Sequence, residues 1–372
     1  MKALAYYLPQ FYPIPENNEW WEPGFTEWTN VTKAKPFFEG HNQPRFPADL
    51  GYYDLRVPET RIGQAELARA FGIHGFCYYN YWFGKGRKIL QRPSEEMLAS
   101  GSPDFPFCFC WANESWKGIW HGLGNQDVLI EQTYPGSHDF EAYFEYLLRF
   151  FRDPRYIKVD GRPVFQVYKV AEIPDLPLFV STFRACAANA GLPGIYLIGG
   201  VPPTQLDWNP RMHGFDAVTG SEFSTLRYWK RNSIRPVSQP FHHFWDRLKS
   251  KFFPESKDFS QRTSPVVIEY EAAIKELITE ENFDYPYFPV LIHDWDNSPR
   301  ATSRSLIFKN STPELFRNHL RKGIEKVSNL AEEERFVFLK SWNEWGEGNA
   351  LEPDKKWGKA YLHVIKEELG NL

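Results

Sequence analysis

Two glutamates three positions apart, Glu344 and Glu347, follow an apolar run in the sequence FVFLKSWNEWGEG at residues 336–348. Cleavage of a glycosidic bond needs one carboxylic acid to protonate the leaving oxygen and a second carboxylate to assist the carbocation-like centre. Residues i and i+3 on one turn project in the same direction, and their roots lie about 5–6 Å apart. Indoles around such a pair raise the pKa of one member. The spacing therefore predicts Glu344 and Glu347 as the two catalytic carboxylates of a retaining glycosidase.

A structural alternative exists for the same two glutamates. They could cap the segment that follows them, or form surface ion pairs with Lys355 or Lys356. The aromatic neighbours and the position after a buried strand favour the catalytic interpretation, because large rings beside a carboxyl group exclude water from it.

The elements that must position these residues are strands and helices in alternation. Short apolar runs rich in aromatic and branched residues recur between segments of helical period. Strands are predicted at 3–8, 75–82, 105–113, 163–170, 195–200, 215–220, 288–295 and 336–342. Helices are predicted at 58–72, 94–100, 137–153, 177–191, 312–330 and 359–369. This order implies a parallel sheet with right-handed crossovers, and eight repeats imply an α/β fold closed into a (β/α)8 TIM-type barrel.

Two stretches depart from the alternation. Residues 9–58 form a long insertion after strand 1, and residues 221–287 form another between strands 6 and 7. Loops of that length usually fold or cover a site, so the second is predicted to lie over the barrel mouth and to contain a helix at 269–281. No linker or repeat divides the chain, and residues 1–372 are predicted to form a single catalytic domain.

The active site of such a barrel lies at the C-terminal ends of its strands. The sequence places amides, indoles and charged groups there, and these are predicted to bind substrate. They are Tyr7, Trp28, Asn80, Trp82, Trp111, Asn113, Glu114, His293, Asp294, Trp295, Asp296, Arg300, Trp342, Asn343 and Trp345. Two alternatives stay open here: Asp294 and Asp296 could serve turn chemistry, and Trp28 could be either a sugar platform or a packing residue.

The amino-acid composition indicates which class of molecule the protein binds. Aromatic residues make up 17% of the chain, with 14 Trp, 19 Tyr and 31 Phe. Aromatic faces stack against the C–H faces of sugars, so an oligo- or polysaccharide is the predicted partner. The formal net charge of −4 argues against nucleic acid.

The sequence motifs for a metal, a phosphate group or a membrane span are incomplete or absent. The run DWDNS at 294–298 begins like a calcium loop, but Pro299 and Ser305 replace the glycine and the glutamate that such a loop requires. No phosphate-binding glycine motif follows a strand. The prediction is that the protein uses no metal and no cofactor. The absence of a signal peptide and of an 18-residue apolar stretch predicts a cytoplasmic protein with no integral membrane segment.

Five stretches together resemble one known family. They are AYYLPQFYPIPENNEWWEPGFTEWTNV, YYNYWFGKGR, FCFCWANESW, HDWDNSPR and SWNEWGEGNALEPD, and they span residues 5–354. They resemble the WbsX-type proteins, which are similar to glycoside hydrolase family 99 (endo-α-mannosidases) and are often encoded with O-antigen or capsule genes. The resemblance implies a metal-independent (β/α)8 barrel. It also implies that Glu344 draws the proton from the sugar 2-hydroxyl to give a 1,2-anhydro sugar, and that Glu347 protonates the leaving group and then activates water.

Three functions remain open from the sequence. The first is a retaining, endo-acting glycosidase or transglycosylase on a polysaccharide such as a bacterial surface glycan. The second is a glycosyltransferase in the biosynthesis of O-antigen (lipopolysaccharide) or capsule. The third is a carbohydrate-binding barrel without catalytic activity.

Overall fold

The computed structural model describes residues 1–118, 127–201, 208–220 and 264–370. Its centre is a barrel of parallel strands in the order in which they occur along the chain. The strands are β1 (Lys2–Tyr7), β2 (Gly75–Trp82), β3 (Phe107–Trp111), β4 (Arg162–Val167), β5 (Tyr196–Val201), β6 (Ala217–Gly220), β7 (Tyr287–Phe288 and Val290–Ile292) and β8 (Phe336–Lys340). Strand β1 pairs with both β2 and β8. The predicted (β/α)8 fold is confirmed, and each of the eight predicted strands is present.

Strand β7 closes the barrel in two short pieces. Tyr287 and Phe288 pair with β6, whereas residues 290–292 pair with β8. Pro289 separates the pieces, and its carbonyl accepts a hydrogen bond of 3.0 Å from the amide of Phe338. Proline has no N–H to donate to a second neighbour, so the ladder changes partner at this residue.

Helices surround the barrel. They are α1 (Pro15–Trp20), α2 (Glu27–Lys33), α3 (Pro58–Ala70), α4 (Arg92–Ser100), α5 (Ser137–Phe151), α6 (Leu176–Asn189), α7 (Tyr270–Glu276), α8 (Ser298–Ala301), α9 (Pro313–Val327) and α10 (Ala360–Gly370). Helices α3 and α9 begin on a proline, which suits the first helical position. The apolar stripe of α5, which includes Phe140, Tyr143 and Leu147, is buried against the strands.

The barrel interior is mostly apolar with a small polar network. The Gln166 amide nitrogen on β4 donates to the Tyr6 hydroxyl at 2.8 Å and to the Thr219 hydroxyl at 2.8 Å. All four cysteines are free thiols, and three of them are buried. No helix in the described residues has both the length and the apolar character needed to cross a bilayer.

Short accessory strands and the two insertions complete the fold. The accessory strands are 88–89, 116–117, 128–130, 158–159, 266–269 and 306–309. Strands 266–269 and 306–309 pair in parallel beside the barrel, and Tyr270 donates from its hydroxyl to the Ile292 carbonyl at 2.6 Å. The predicted helix at 269–281 is present as the shorter α7. Residues 221–263 lie outside the described residues, so the location of that insertion over the mouth stays a prediction.

Candidate active site

The turn after β8 carries the two glutamates that the sequence singles out. The Glu344 amide donates to the Ser341 hydroxyl at 2.7 Å, and the Glu347 amide donates to the Glu344 carbonyl at 3.1 Å. Trp345–Glu347 forms one 3-10 turn that ends at Gly348. The turn therefore directs the two carboxyl groups to the same place, as their spacing predicts.

The two carboxyl groups contact each other and share one cation. Arg300 Nη1 on α8 donates to Glu344 Oε1 at 3.3 Å and to Glu347 Oε1 at 2.9 Å. Glu344 is 5% exposed. Burial raises the pKa of Glu347 to about 7, and the adjacent charge of Glu344 adds to this, while Lys340 and Arg300 oppose it. A carboxyl group that holds its proton near neutrality can act as a general acid.

Each of the two carboxyl groups keeps one oxygen available. The Oε2 atoms of Glu344 and Glu347 are buried and have no hydrogen-bond partner in the described part of the chain. The Lys340 ammonium at the end of β8 lies 3.8 Å from Glu347 Oε2. Buried acceptors usually have donors, so these oxygens are suited to receive the hydroxyl groups of a ligand.

Glu27 is a site residue that the sequence does not predict. It lies in the first turn of α2, it is 0% exposed, and its Oε1 accepts from Arg300 Nε at 2.8 Å. An acidic residue in the first turn of a helix is ordinary because it complements the helix dipole. No sequence signal therefore separates Glu27 from an exposed first-turn glutamate.

Two glycines in the turn make this arrangement possible. A Cβ atom at Gly346 would lie 1.8 Å from Glu27 Oε1 and 2.9 Å from Arg300 Nε. Gly348 has a φ of +66°, and a Cβ there would lie 2.9 Å from the Asp296 amide nitrogen. The glycines in NEWGEG are thus explained by close packing at Gly346 and by a left-handed backbone at Gly348.

Strand β2 presents to the site the face opposite to the one predicted from the sequence. Asn80 accepts from the Tyr143 hydroxyl at 2.7 Å, and Trp82 donates to Asp139 at 3.0 Å, both on α5. This corrects the expectation that Asn80 and Trp82 face the mouth. Their neighbours Tyr79 and Tyr81 do so: burial raises the pKa of both phenols, and the charge of Glu344 raises it further.

The residues after β3 divide between packing and the mouth. Trp111 lies in the helical layer against Tyr143, with ring centroids 5.2 Å apart, which corrects its predicted placement. Asn113 is fully buried and pairs with the backbone of Lys169, accepting from its amide at 2.9 Å and donating to its carbonyl at 2.8 Å. Asn113 therefore braces the segment after β4. Glu114 is partly exposed, and it forms an ion pair of 2.5 Å with the Lys169 ammonium.

The loop after β7 is held by buried contacts. Asp294 pairs with Arg45 at 2.9 Å, and Asp296 Oδ2 contacts His41 Nε2 at 2.7 Å and accepts from Gln43 at 2.7 Å. Both aspartates are at least nine-tenths buried. They serve to fix the loop that carries Arg300, which favours the structural alternative over direct substrate binding.

Two aromatic residues of the same loop are also packed. His293 Nε2 lies 3.0 Å from the Ala350 carbonyl, and burial lowers the pKa of its ring to about 3. Trp295 is buried with its ring 5.4 Å below the Lys340 ammonium. A neutral, enclosed histidine has a packing role, which corrects the expectation that His293 binds substrate. Trp295 contacts Lys340, and Lys340 in turn lies beside Glu347.

Four more predicted residues form the support behind the turn. Asn343 pairs with the backbone of Leu8, accepting at 2.7 Å and donating at 2.9 Å. Trp345 is 2% exposed and Trp342 is fully buried. Trp28 donates to the Tyr53 carbonyl at 2.8 Å and packs on Trp345, so packing rather than sugar stacking accounts for it.

A second buried carboxyl group lies in this support. Glu352 accepts from Tyr53 at 2.9 Å, from Gln64 at 2.6 Å and from Trp345 at 2.7 Å. Burial raises the pKa of Glu352 to about 7. Tyr7 joins the same cluster by donating to Gln64 at 2.7 Å, which places its side chain in the helical layer and corrects its predicted place at the mouth.

Half-buried aromatic rings line the approach to the carboxylates. Trp116 meets the ring of Tyr81 edge-on with centroids 5.3 Å apart, and Trp20 lies 6.0 Å from Trp116. Tyr168 after β4 is close enough to Lys340, Glu114 and the Glu344–Glu347 pair for their charges to affect its pKa. Such rings provide flat apolar faces of the kind that pack against sugars.

The fold and the site together define a class of protein: a closed (β/α)8 barrel with a buried carboxyl pair and aromatic rings at the C-terminal ends of its strands. The sequence model described as "Glycosyltransferase WbsX" matches residues 3–365. The chain belongs to the WbsX family.

Curated relatives share the sequence over nearly the whole chain. The uncharacterized protein WxcX of Xanthomonas campestris pv. campestris is 36% identical over 370 residues in strain ATCC 33913, and the match in strain B100 has the same identity and length. These matches cover 98% of this chain and 49% of each relative. The chain thus spans about half the length of the curated relatives that it matches.

Solved structures share the fold at low identity. A "Glycoside hydrolase-like protein" is 16% identical with a TM-score of 0.57, and the match covers 99% of this chain and 93% of that one. The GH99 endo-alpha-mannosidase from Bacteroides thetaiotaomicron is 13% identical with a TM-score of 0.56, and the match covers 99% and 96%. These likenesses establish a common barrel architecture.

Proposed function

We propose that this chain is a carbohydrate-active enzyme that cleaves or transfers glycosidic linkages with retention of configuration, using Glu344 and Glu347. The observation that carries the proposal is the shared contact of both carboxyl groups with Arg300 Nη1 in the barrel mouth. Acidic side chains are rarely buried side by side without a functional reason, because each raises the free energy of ionising the other.

The separation of the carboxyl groups supports retention. Two oxygens at 3.3 and 2.9 Å from one nitrogen cannot be as far apart as the carboxyl groups of most inverting enzymes, which are about 6.5–9.5 Å apart. Inverting enzymes need that gap for a water molecule between the sugar and the base. A closer pair favours a mechanism in two steps, each with its own displacement at the anomeric carbon.

The environment supports a division of roles. With its pKa raised to about 7, Glu347 is suited to donate a proton to the leaving oxygen and then, as a carboxylate, to take a proton from the attacking water or sugar hydroxyl. Glu344 is then the base that draws the proton from the sugar 2-hydroxyl, and that oxygen attacks the anomeric carbon to form a 1,2-anhydro sugar. The unpartnered Oε2 atoms are the sites we assign to these two transfers.

The rim supports a polymeric substrate. The rings of Trp20, Trp116 and Tyr81 contact one another in sequence beside the carboxylates, and an extended aromatic surface suits several consecutive sugars better than one. We therefore propose endo action on a polysaccharide such as a bacterial surface glycan, in keeping with the likeness to an endo-acting barrel.

Substitution of the pair tests the proposal. We expect Glu344→Gln and Glu347→Gln each to lower the rate on a responsive glycan by at least ~10²-fold, because each removes a proton transfer. Glu22→Gln, at an exposed ion pair with Lys33, is the matched control and should keep full activity. A panel of bacterial polysaccharides, with NMR of the anomer released first, gives both the rates and the stereochemistry. Folded glutamine variants that retain full activity, or an inverted first product, would refute the assignment.

A glycosyltransferase of O-antigen or capsule assembly is the second candidate, because the description of the family favours it. It predicts that an acceptor glycan is elongated only when an activated sugar donor is supplied, with no hydrolysis of the polymer. A third outcome, measurable affinity with unaltered glycan after long incubation, would indicate a binding barrel without catalysis. Product analysis with and without donor distinguishes the three.

A further inference from the structure

Arg300 bonds to three carboxyl groups, and one of them belongs to no part of the proposed proton transfers. Its Nε binds Glu27, while its Nη1 binds Glu344 and Glu347. We propose that Glu27 is a positioning residue, which orients Arg300 and takes up part of its charge so that Arg300 can align the catalytic pair without forcing both members to ionise. This inference rests on the proposed function for its catalytic meaning, but its physical content does not require a substrate.

The geometry supports orientation by Glu27. A guanidinium group is planar, and its donors are fixed relative to one another. The bond of 2.8 Å from Nε to Glu27 therefore constrains the direction of Nη1, whose two partners lie at 2.9 and 3.3 Å. A lysine at position 300 would offer a point charge without this constraint.

Glu27 is itself firmly placed. Its amide donates to the Gln10 carbonyl at 3.0 Å, and Thr26 before it forms a capping box with Thr29. Its side chain is fully enclosed, and Oε2 has no hydrogen-bond partner among the described residues. Gly346 leaves the space that Glu27 Oε1 and Arg300 Nε occupy. Three chain segments thus converge on one cation: α2, α8 and the turn after β8.

The charges that face Glu347 come from several elements. Lys340 on β8 and Arg300 on α8 lower its pKa, whereas Glu344 raises it, and Tyr168 lies close enough to interact. Glu344 faces the guanidinium group of Arg300. The phenol groups of Tyr79 and Tyr81 also lie near it. The two cations therefore favour the ionised form of Glu347. A third, buried carboxylate on Arg300 reduces this effect, which fits a proton that stays on Glu347 near neutrality.

The test follows the titration of Glu347 directly. In protein labelled with [13C]glutamate at the carboxyl carbon, the Glu347 signal is identified by its loss in Glu347→Gln, and its midpoint is measured by NMR as a function of pH. We expect Glu27→Gln to lower the midpoint by at least ~0.5 pH unit, because no negative charge at position 27 then offsets the positive charge of Arg300. We expect Arg300→Gln to raise it by a similar amount. The exposed variants Glu22→Gln and Arg56→Gln are the matched controls, and both should leave it unchanged.

A lower Glu347 midpoint in Glu27→Gln together with a higher one in Arg300→Gln supports the proposal. Shifts in the same direction, shifts opposite to these, or midpoints that both stay within about 0.2 unit of the wild type overturn it. The double variant Glu27→Gln/Arg300→Gln removes both members of the Arg300–Glu27 ion pair together and serves if a single variant does not fold. There the midpoint should rise, because Arg300 is the direct neighbour, and an unchanged midpoint counts against the proposal. Full activity of Glu344→Gln and Glu347→Gln would instead refute the proposed function and leave these titrations unaffected.

Discussion

Glu347 owes its acid character to its surroundings and not to its residue type. Burial raises its pKa from 4.5 to about 7 against the opposing effect of two cations. The same surroundings hold Glu344 within reach of the same arginine nitrogen. Surroundings that keep the proton on one member of a carboxyl pair allow a barrel to supply a general acid near neutral pH.

The raised pKa of Glu347 has a consequence for stability. Below pH 4.5 both the folded and the unfolded chain hold this proton, so the shift has no effect there. Between pH 4.5 and about 7 only the folded chain retains the proton, so the free energy of unfolding falls as pH rises. Above that range the loss is complete and constant.

Glu347→Gln should remove this loss. We expect the variant to gain about 2–4 kcal/mol in unfolding free energy relative to the wild type on going from pH 4.5 to about 8. Denaturant unfolding at a series of pH values measures the difference. Glu22→Gln, at an exposed ion pair, should show a flat difference. A difference for Glu347→Gln that does not depend on pH would mean that the folded chain does not raise its pKa.

At the scale of elements, the turn after β8 is held by the loops after β1 and β7. Arg45 pairs with Asp294 at 2.9 Å and donates to the Gly348 carbonyl at 2.7 Å. The Asp296 amide donates to the Glu347 carbonyl at 2.7 Å. The long segment after β1 thus supplies both Glu27 and Arg45, which holds the turn after β8 in place.

Arg45→Met should therefore be strongly destabilising. It leaves Asp294 as an uncompensated buried carboxylate, and we expect a loss of about 3–5 kcal/mol in unfolding free energy. Arg56→Met breaks an exposed pair with Asp54 and should cost less than about 1 kcal/mol. Chemical denaturation of the two variants in parallel makes the comparison. Equal effects would show that the buried pair is no more important than the exposed one.

At the scale of the whole molecule, the barrel has its shortest strand pairing between β6 and the first piece of β7. Two register pairs join β6 to β7, whereas five join β2 to β3. Pro289 removes one donor at the point where the ladder changes partner. Local opening follows the number of hydrogen bonds and buried contacts that must be broken, so the seam between β6 and β7 is expected to open first.

Hydrogen exchange followed by mass spectrometry measures this difference. After correction for intrinsic rates, we expect peptides of β6 and of the first half of β7 to exchange at least ~10-fold faster than peptides of β2 and β3. Peptides of β8 provide an internal control, because this strand has four register pairs with β1 and three with the second piece of β7. Uniform protection around the barrel would contradict the expectation.

The sequence by itself determined the barrel and the meeting of the two glutamates that we propose as its catalytic pair. Parallel strands buried on both faces appear as short apolar runs, and eight such runs alternating with amphipathic helices leave one closed architecture. The spacing of Glu344 and Glu347 depends only on local chain geometry, and the turn reproduces it.

Only the tertiary structure decided which neighbours serve that pair. Alternation along β2 shows that Tyr79 and Tyr81 share one side and Asn80 and Trp82 the other, but both sides are aromatic and buried, so the sequence contains no signal for the side that faces the axis. That choice follows from the pairing of β2 with its neighbours. Glu27 joins Arg300 across 273 positions of the chain, a contact that exists only because the barrel brings the segment after β1 against the loop after β7.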